Sequence, residues 1–179
     1  MSFLLLENEY ALLLDAGSGV GRLVTTGIRE MLKPYDCLHV LLSHYHIDHV
    51  VGISCLPETW PGSKIKVLGP TRPCVDASPR TALGRLLSPP LFSTGLTELL
   101  KPVEIIPFAN GAHHIDGLNF LTWPQKRPCN TSTIIIKILF LCIMPLTCLI
   151  TPINRPKNGE ITMRACHSPG LIMRPLSRP

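Results

Sequence analysis

Ser43-His44-Tyr45-His46-Ile47-Asp48-His49 is the stretch on which the reading of this chain turns. Four side chains able to bind a metal ion, His44, His46, Asp48 and His49, fall within six residues. They follow the apolar run Leu38-His39-Val40-Leu41-Leu42, which reads as a buried strand, so the cluster belongs where a strand ends and a loop begins. Alternation sends His44 and His46 to one side, within reach of one ion, and leaves Asp48 and His49 to turn toward a second. Imidazole and carboxylate suit zinc, iron or manganese. The competing reading is a polar loop that is rich in histidine by accident. With seven His in 179 residues, this spacing argues against chance.

Outward from the cluster, alternating apolar runs and breakers predict the remaining elements. Residues 3–6 and 10–14 read as a hairpin turned at Glu7-Asn8-Glu9. Asp15-Ala16-Gly17-Ser18-Gly19-Val20-Gly21 is a glycine-rich turn, but it lacks the glycine spacing and the distant acidic residue of a dinucleotide cradle. Leu23, Val24, Ile28, Met31 and Leu32 predict an amphipathic helix over 22–33, stopped by Pro34. Asp48 to Val51 open a short helix, with Asp48 near its positive end. A strand is predicted around 65–68, a helix over 79–87, and strands over 103–108 and 117–123. His113 and His114 fall in the polar connection between the last two and are expected to be structural or exposed.

These residues carry a family resemblance. Ser43-His44-Tyr45-His46-Ile47-Asp48-His49 followed by Gly52 resembles the His-x-His-x-Asp-His motif of the metallo-β-lactamase superfamily. Leu12-Leu13-Leu14-Asp15-Ala16-Gly17-Ser18-Gly19 is similar to the strand and Asp-Ala-Gly turn before that motif, a turn that in the family shapes the rim of the metal cleft. Leu87-Ser88-Pro89-Pro90-Leu91-Phe92 resembles a segment of the phosphodiesterase-like branch, near the tRNA-processing and cyclic phosphodiesterase enzymes. The resemblance covers residues 3 to 133, and Met1-Ser2-Phe3-Leu4-Leu5-Leu6 already looks like the family's second strand. It implies an α/β fold, a partial αββα sandwich of mixed sheets over residues 1–133. It also implies metal-dependent hydrolysis, with Asp48 and a metal-bound water as the catalytic pair. Zn2+ is the expected cofactor, in a two-metal site held by His44, His46, Asp48 and His49, with Mn2+ or Fe as substitutes. The implied substrate is a phosphodiester in RNA or a cyclic nucleotide, and other small esters, lactams and thioesters remain open.

Three features depart from that pattern. Pro124-Gln125-Lys126-Arg127-Pro128 resembles the family's His-Pro stretch, but Arg127 stands where a histidine would complete the first metal site. A guanidinium stays protonated and offers no lone pair. The family's later bridging aspartate has no counterpart, since no Asp follows Asp116, and His167 in Cys166-His167-Ser168-Pro169 is a poor match to its last histidine. An inactive remnant with weak or absent metal binding is therefore the alternative to an active hydrolase.

Beyond residue 133 the composition changes. Residues 134–150 are almost wholly apolar, broken by Lys137 and Pro145, and read as core strands or a marginal membrane segment. A membrane-associated protein is thus a third reading, against which the charge and the proline count. Residues 151–179 are rich in Pro and Arg, as a frameshifted or aberrant terminus would be. The net charge of +5 is divided accordingly: residues 1–116 hold 9 Lys and Arg against 11 Asp and Glu, and residues 117–179 hold 8 against 1. The basic tail suits phosphate backbones, yet it lacks the interleaved aromatics of a single-strand binder. Seven cysteines, odd in number and without a Cys-x-x-Cys pair, suggest free thiols in the cytoplasm rather than a disulfide framework.

Overall fold

The computed structural model describes residues 2–7, 10–124, 132–137 and 160–163. The first two apolar runs form the expected hairpin, β1 (Phe3–Glu7) antiparallel to β2 (Tyr10–Leu14) with Leu5 opposite Leu12. β2 then runs parallel to β3 (Cys37–Leu41), β3 to β4 (Lys64–Pro70) and β4 to β5 (Val103–Phe108). The result is a mixed five-stranded sheet in sequence order. Parallel neighbours need crossovers. Because crossovers share one hand and the strands are added in one direction, their helices come to lie on one face.

That face is covered by α1 (Thr26–Leu32), α2 (Ile47–Val50), α3 (Leu56–Thr59), α4 (Pro79–Leu86) and α5 (Leu96–Leu99). Leu13, Leu38, Val40 and Val67 point into this layer and meet Leu32, Ile53, Leu56 and Leu83, all essentially without solvent exposure. The alternate residues of the same strands, Leu12, Leu14, Leu41 and Leu68, face the other way onto Leu118 and Phe120. These last two belong to a second, antiparallel sheet of β6 (Gly111–Ile115), β7 (Leu118–Pro124), β8 (Ser132–Lys137) and β9 (Glu160–Met163). Among the described residues the layers are therefore helix, mixed sheet, antiparallel sheet, which is the expected α/β sandwich in part. β8 runs across position 133, and no helix among the described residues is long and apolar enough to cross a membrane.

Two expectations are corrected. The helix predicted over 22–33 is a 3₁₀ segment, Ser18–Val24, followed by α1, with Thr25 extended between them. Val20 and Leu23 are the buried pair of the first piece, and a spacing of three suits the three residues per turn of a 3₁₀ helix. His113 and His114 do not sit in a connection but on a strand of their own, β6. The overlooked signal is Asp116-Gly117, whose φ values of 50° and 81° make the two-residue turn that joins β6 to β7.

That turn also ties the sheets together. Asp116 Oδ2 lies 3.0 Å from Nε2 of the buried His39 on β3 and 2.6 Å from Lys66 Nζ on β4. The Lys66 hydrogen bond, then that of His39, holds the Asp116 carboxyl below the usual carboxylate range.

Gly52, just after α2, packs against the turn that follows β2. Its N–H donates to Ala16 O at 2.8 Å, and a Cβ there would strike Gly17 O and come within 2.8 Å of Val20 Cβ. Gly52→Ala is expected to cost about 1–3 kcal/mol by forcing this backbone contact apart. The midpoint of urea unfolding measures it; an unchanged midpoint would contradict the packing.

Candidate metal centre

Because β2, β3 and β4 run parallel, their carboxyl ends open one edge of the sandwich, where open α/β sheets place their sites. Asp15 follows β2, and Leu42-Ser43-His44 follow β3. Leu42 N donates to Leu68 O at 2.9 Å and Tyr45 Oη to Pro70 O at 2.6 Å, which fastens the loop after β3 to the end of β4. Burial pushes the Tyr45 phenol up, so it stays neutral as a structural donor. His46 is the N-cap of α2, and Asp48 lies in that helix's first turn.

Asp15 gathers the site. It is 1% exposed and adopts φ 55°, the left-handed region that Asp tolerates better than most residues. Its Oδ1 accepts from Ser43 N at 2.7 Å and from Ser43 Oγ at 2.9 Å. Its Oδ2 lies 2.7 Å from His49 Nδ1. The backbone repeats the tie, since Ala16 N donates to His49 O at 2.7 Å. One carboxylate thus joins the ends of two strands to the start of the helical layer.

The histidines close around this point. His44 and His46 have ring centroids 4.5 Å apart, and His44 and His49 4.1 Å apart. His44 Nδ1 lies 2.8 Å from Ser43 Oγ, while its Nε2 is buried with no hydrogen-bond partner. His49 Nε2 lies 3.2 Å from Oδ2 of Asp48, whose side chain is half exposed. Burial, then the neighbouring His49, pushes the His44 imidazole down to about 4, so it is neutral at physiological pH.

The donor chemistry fits a cation. A buried imidazole nitrogen with a bare lone pair is costly unless something accepts it. His49 is held at Nδ1 by a carboxylate, the arrangement by which outer partners turn the other nitrogen toward a metal. Its Nε2 and the Asp48 oxygen then need a proton or a cation between them. Among the described residues, no group of three or more His, Cys, Asp or Glu converges on a single ion position. The donors are gathered but not closed.

Of the residues expected at the site, His44, His46, Asp48 and His49 are brought together. His113 is not: its Nε2 lies 2.9 Å from Ala109 O and its ring stacks on Phe120. His114 is exposed and lies 2.8 Å from Asn119 Oδ1. Arg127 and His167 lie outside the described residues. Asp15 and Ser43 escaped the sequence reading as site residues. The available signal was a carboxylate at the end of an apolar strand, directly before a glycine-rich turn.

The metallo-beta-lactamase superfamily profile matches residues 1–126, and the chain belongs to that superfamily. Solved structures of similar fold include a diphosphatase of the PhnP family, 16% identical with a TM-score of 0.43, the match covering 66% of this chain and 41% of that one. The metallo-beta-lactamase fold protein YhfI from Bacillus subtilis is 17% identical with a TM-score of 0.48, covering 76% and 49%. MEM-A1, a subclass B3 metallo-beta-lactamase from a soil metagenome library, is 21% identical with a TM-score of 0.45, covering 75% and 50%. The matched part therefore spans half or less of the length of these structures. No curated protein matches the chain by sequence.

The depressed His44 value sets the sign of a pH dependence. Unfolded, the ring titrates at its ordinary 6.5; folded, at about 4. Between these values the unfolded chain binds more protons, so the stability held above pH 6.5 is lost progressively as pH falls toward 4. In chelator-treated protein the loss attributable to His44 is expected to be about 3 kcal/mol. Urea unfolding across that range, compared with His44→Asn, checks it; an undiminished slope in the variant would count against the assignment.

Proposed function

We propose that the chain is a metal-dependent hydrolase acting on a phosphodiester, in RNA or a cyclic nucleotide, with His44, His46, Asp48 and His49 as the metal-holding set. The observation that carries this reading is the buried, unpartnered Nε2 of His44, next to the rings of His46 and His49. Superfamily membership supports the reaction class, and the Leu87-Ser88-Pro89-Pro90-Leu91-Phe92 segment supports the substrate class. Zinc is the ion best suited to imidazole and carboxylate, with manganese or iron as substitutes.

A bound ion would supply Lewis acidity, making water acidic enough to attack and stabilising negative charge on the substrate. The chain does the rest. His44 and His49 present rings braced from behind by Ser43 and Asp15. Asp48, half exposed, has two oxygens, one to help hold the ion and one to take the proton of the attacking water. As the new P–O bond forms, the bond to the leaving oxygen breaks, and the proton held by Asp48 is returned to that oxygen. The free thiols of Cys37, Cys55 and Cys74 accord with the cytoplasm as the working compartment.

Because no three donors close on one point, binding should be loose. Elemental analysis after dialysis is expected to find at most about one ion per chain. Slow hydrolysis of bis(p-nitrophenyl) phosphate should depend on added zinc or manganese, and Asp48→Ala should lower the rate at least about 100-fold. Hydrolysis that is absent, or indifferent to metal, would sink the proposal.

A further inference from the structure

We propose that Ser43 is a positioning residue that sets the tautomer of His44, so that the ring offers Nε2 rather than Nδ1 to a cation. The inference follows from counting hydrogens. Ser43 Oγ lies 2.8 Å from His44 Nδ1, 2.9 Å from Asp15 Oδ1 and 2.8 Å from Asp15 Oδ2. A serine hydroxyl has one hydrogen to give and lone pairs with which to accept. The Asp15 carboxylate gives none; it already accepts from Ser43 N. The hydroxyl hydrogen therefore goes to Asp15, and the contact with His44 is made by a hydrogen on the ring, Nδ1–H donating to Ser43 Oγ. A neutral imidazole carries one such hydrogen, which leaves Nε2 with a bare lone pair.

The opposite assignment fails on the same distances. If Ser43 donated to His44 Nδ1, its oxygen would face both Asp15 oxygens at 2.8–2.9 Å with no hydrogen between them. Ser43 and Asp15 are 2% and 1% exposed, so water does not soften that repulsion. The nitrogen that the count leaves bare is also the one found buried without a partner. His49 is oriented in the same sense by Nδ1–H donating to Asp15 Oδ2, while its Nε2 faces Asp48 Oδ2 at 3.2 Å, a contact that needs a hydrogen or a cation between the two atoms. One carboxylate and one hydroxyl thus orient two imidazoles in the same sense.

The consequence for metal affinity rests on the function proposed above, whereas the tautomer does not. The test uses the full chain labelled with 15N-histidine and treated with chelator at neutral pH, where ring nitrogen shifts and couplings separate protonated from bare atoms. His44 signals are assigned by their loss in His44→Asn. The expected result is a protonated Nδ1 and a bare Nε2 in the wild type. Ser43→Ala should give mixed tautomers and bind zinc about 10–100-fold more weakly in competition with a chromophoric chelator, as loss of an outer partner does. Ser43→Thr, which keeps the hydroxyl, should restore both. A wild-type His44 protonated at Nε2 overturns the proposal, as does Ser43→Ala with tautomer and affinity unchanged. Should Ser43→Ala fail to fold, the wild-type spectrum decides. A wild type with the expected tautomer that takes up no zinc would defeat the metal reading and leave the assignment to Ser43 intact.

Discussion

The buried carboxylate of Asp15 is the constraint on which the rest of the arrangement depends. A carboxylate at 1% exposure is tolerable only if its oxygens are satisfied by donors held in place. Here the donors come from a residue after β3 and from a residue of α2, so satisfying the charge fixes two connections at once. The left-handed backbone at Asp15 is consistent with that demand, since strained conformations persist where surroundings over-determine them. The short, weakly capped helix α2 could not hold His49 by its own hydrogen bonds. It is held by a carboxylate from another strand, and by backbone bonds to Ala16 on either side.

The two-faced sheet explains why the site lies where it does. Alternate residues of β2, β3 and β4 feed two separate apolar clusters, one under the helices and one between the sheets. Both faces are filled largely with leucine, valine, isoleucine and phenylalanine. The carboxyl ends of the strands, where the chain turns from sheet to helix, carry His44 and its neighbours. The other polar group, His39–Asp116–Lys66, lies on the inter-sheet face, with His39 and Lys66 side by side within β3 and β4, and it joins the sheets rather than opening a cleft.

Much of this was legible in the sequence. Strand runs with turn residues between them predicted the hairpin and the three strands that follow it in the first sheet, and the spacing of His44, His46, Asp48 and His49 predicted that these side chains gather at a strand end. What escaped was of two kinds. Local geometry was misread where two periods compete: Leu23 and Val24 were both assigned to a helix over 22–33, whereas Leu23 is buried with Val20 on a 3₁₀ segment and Val24 is exposed. Long-range pairing was invisible because it has no periodicity. Asp15 meets His49 across 34 positions and Asp116 meets His39 across 77, and nothing in either neighbourhood announces its partner. His113 and His114 were read as part of a polar connection because their strand alternates weakly, with no residue of β6 fully buried.

The charge balance at the site edge follows from the same topology. β5 ends beside Pro70, Gly111 of β6 pairs with Thr122 of β7, and Pro124 pairs with Ser132 of β8. β7 therefore ends, and β8 begins, toward the end of the sandwich at which β5 finishes. In sequence, residues 125–131 contain Lys126 and Arg127 and no carboxylate or imidazole. On the described side, the negative charge available to a cation comes from Asp15, whose oxygens are engaged by Ser43 and His49, and from Asp48, which is half exposed and partly screened. Three imidazoles with one accessible carboxylate can attract a divalent ion, but the single carboxylate neutralises only half its charge. Tight retention of a second ion would need further negative charge at this edge, and the described residues do not supply it.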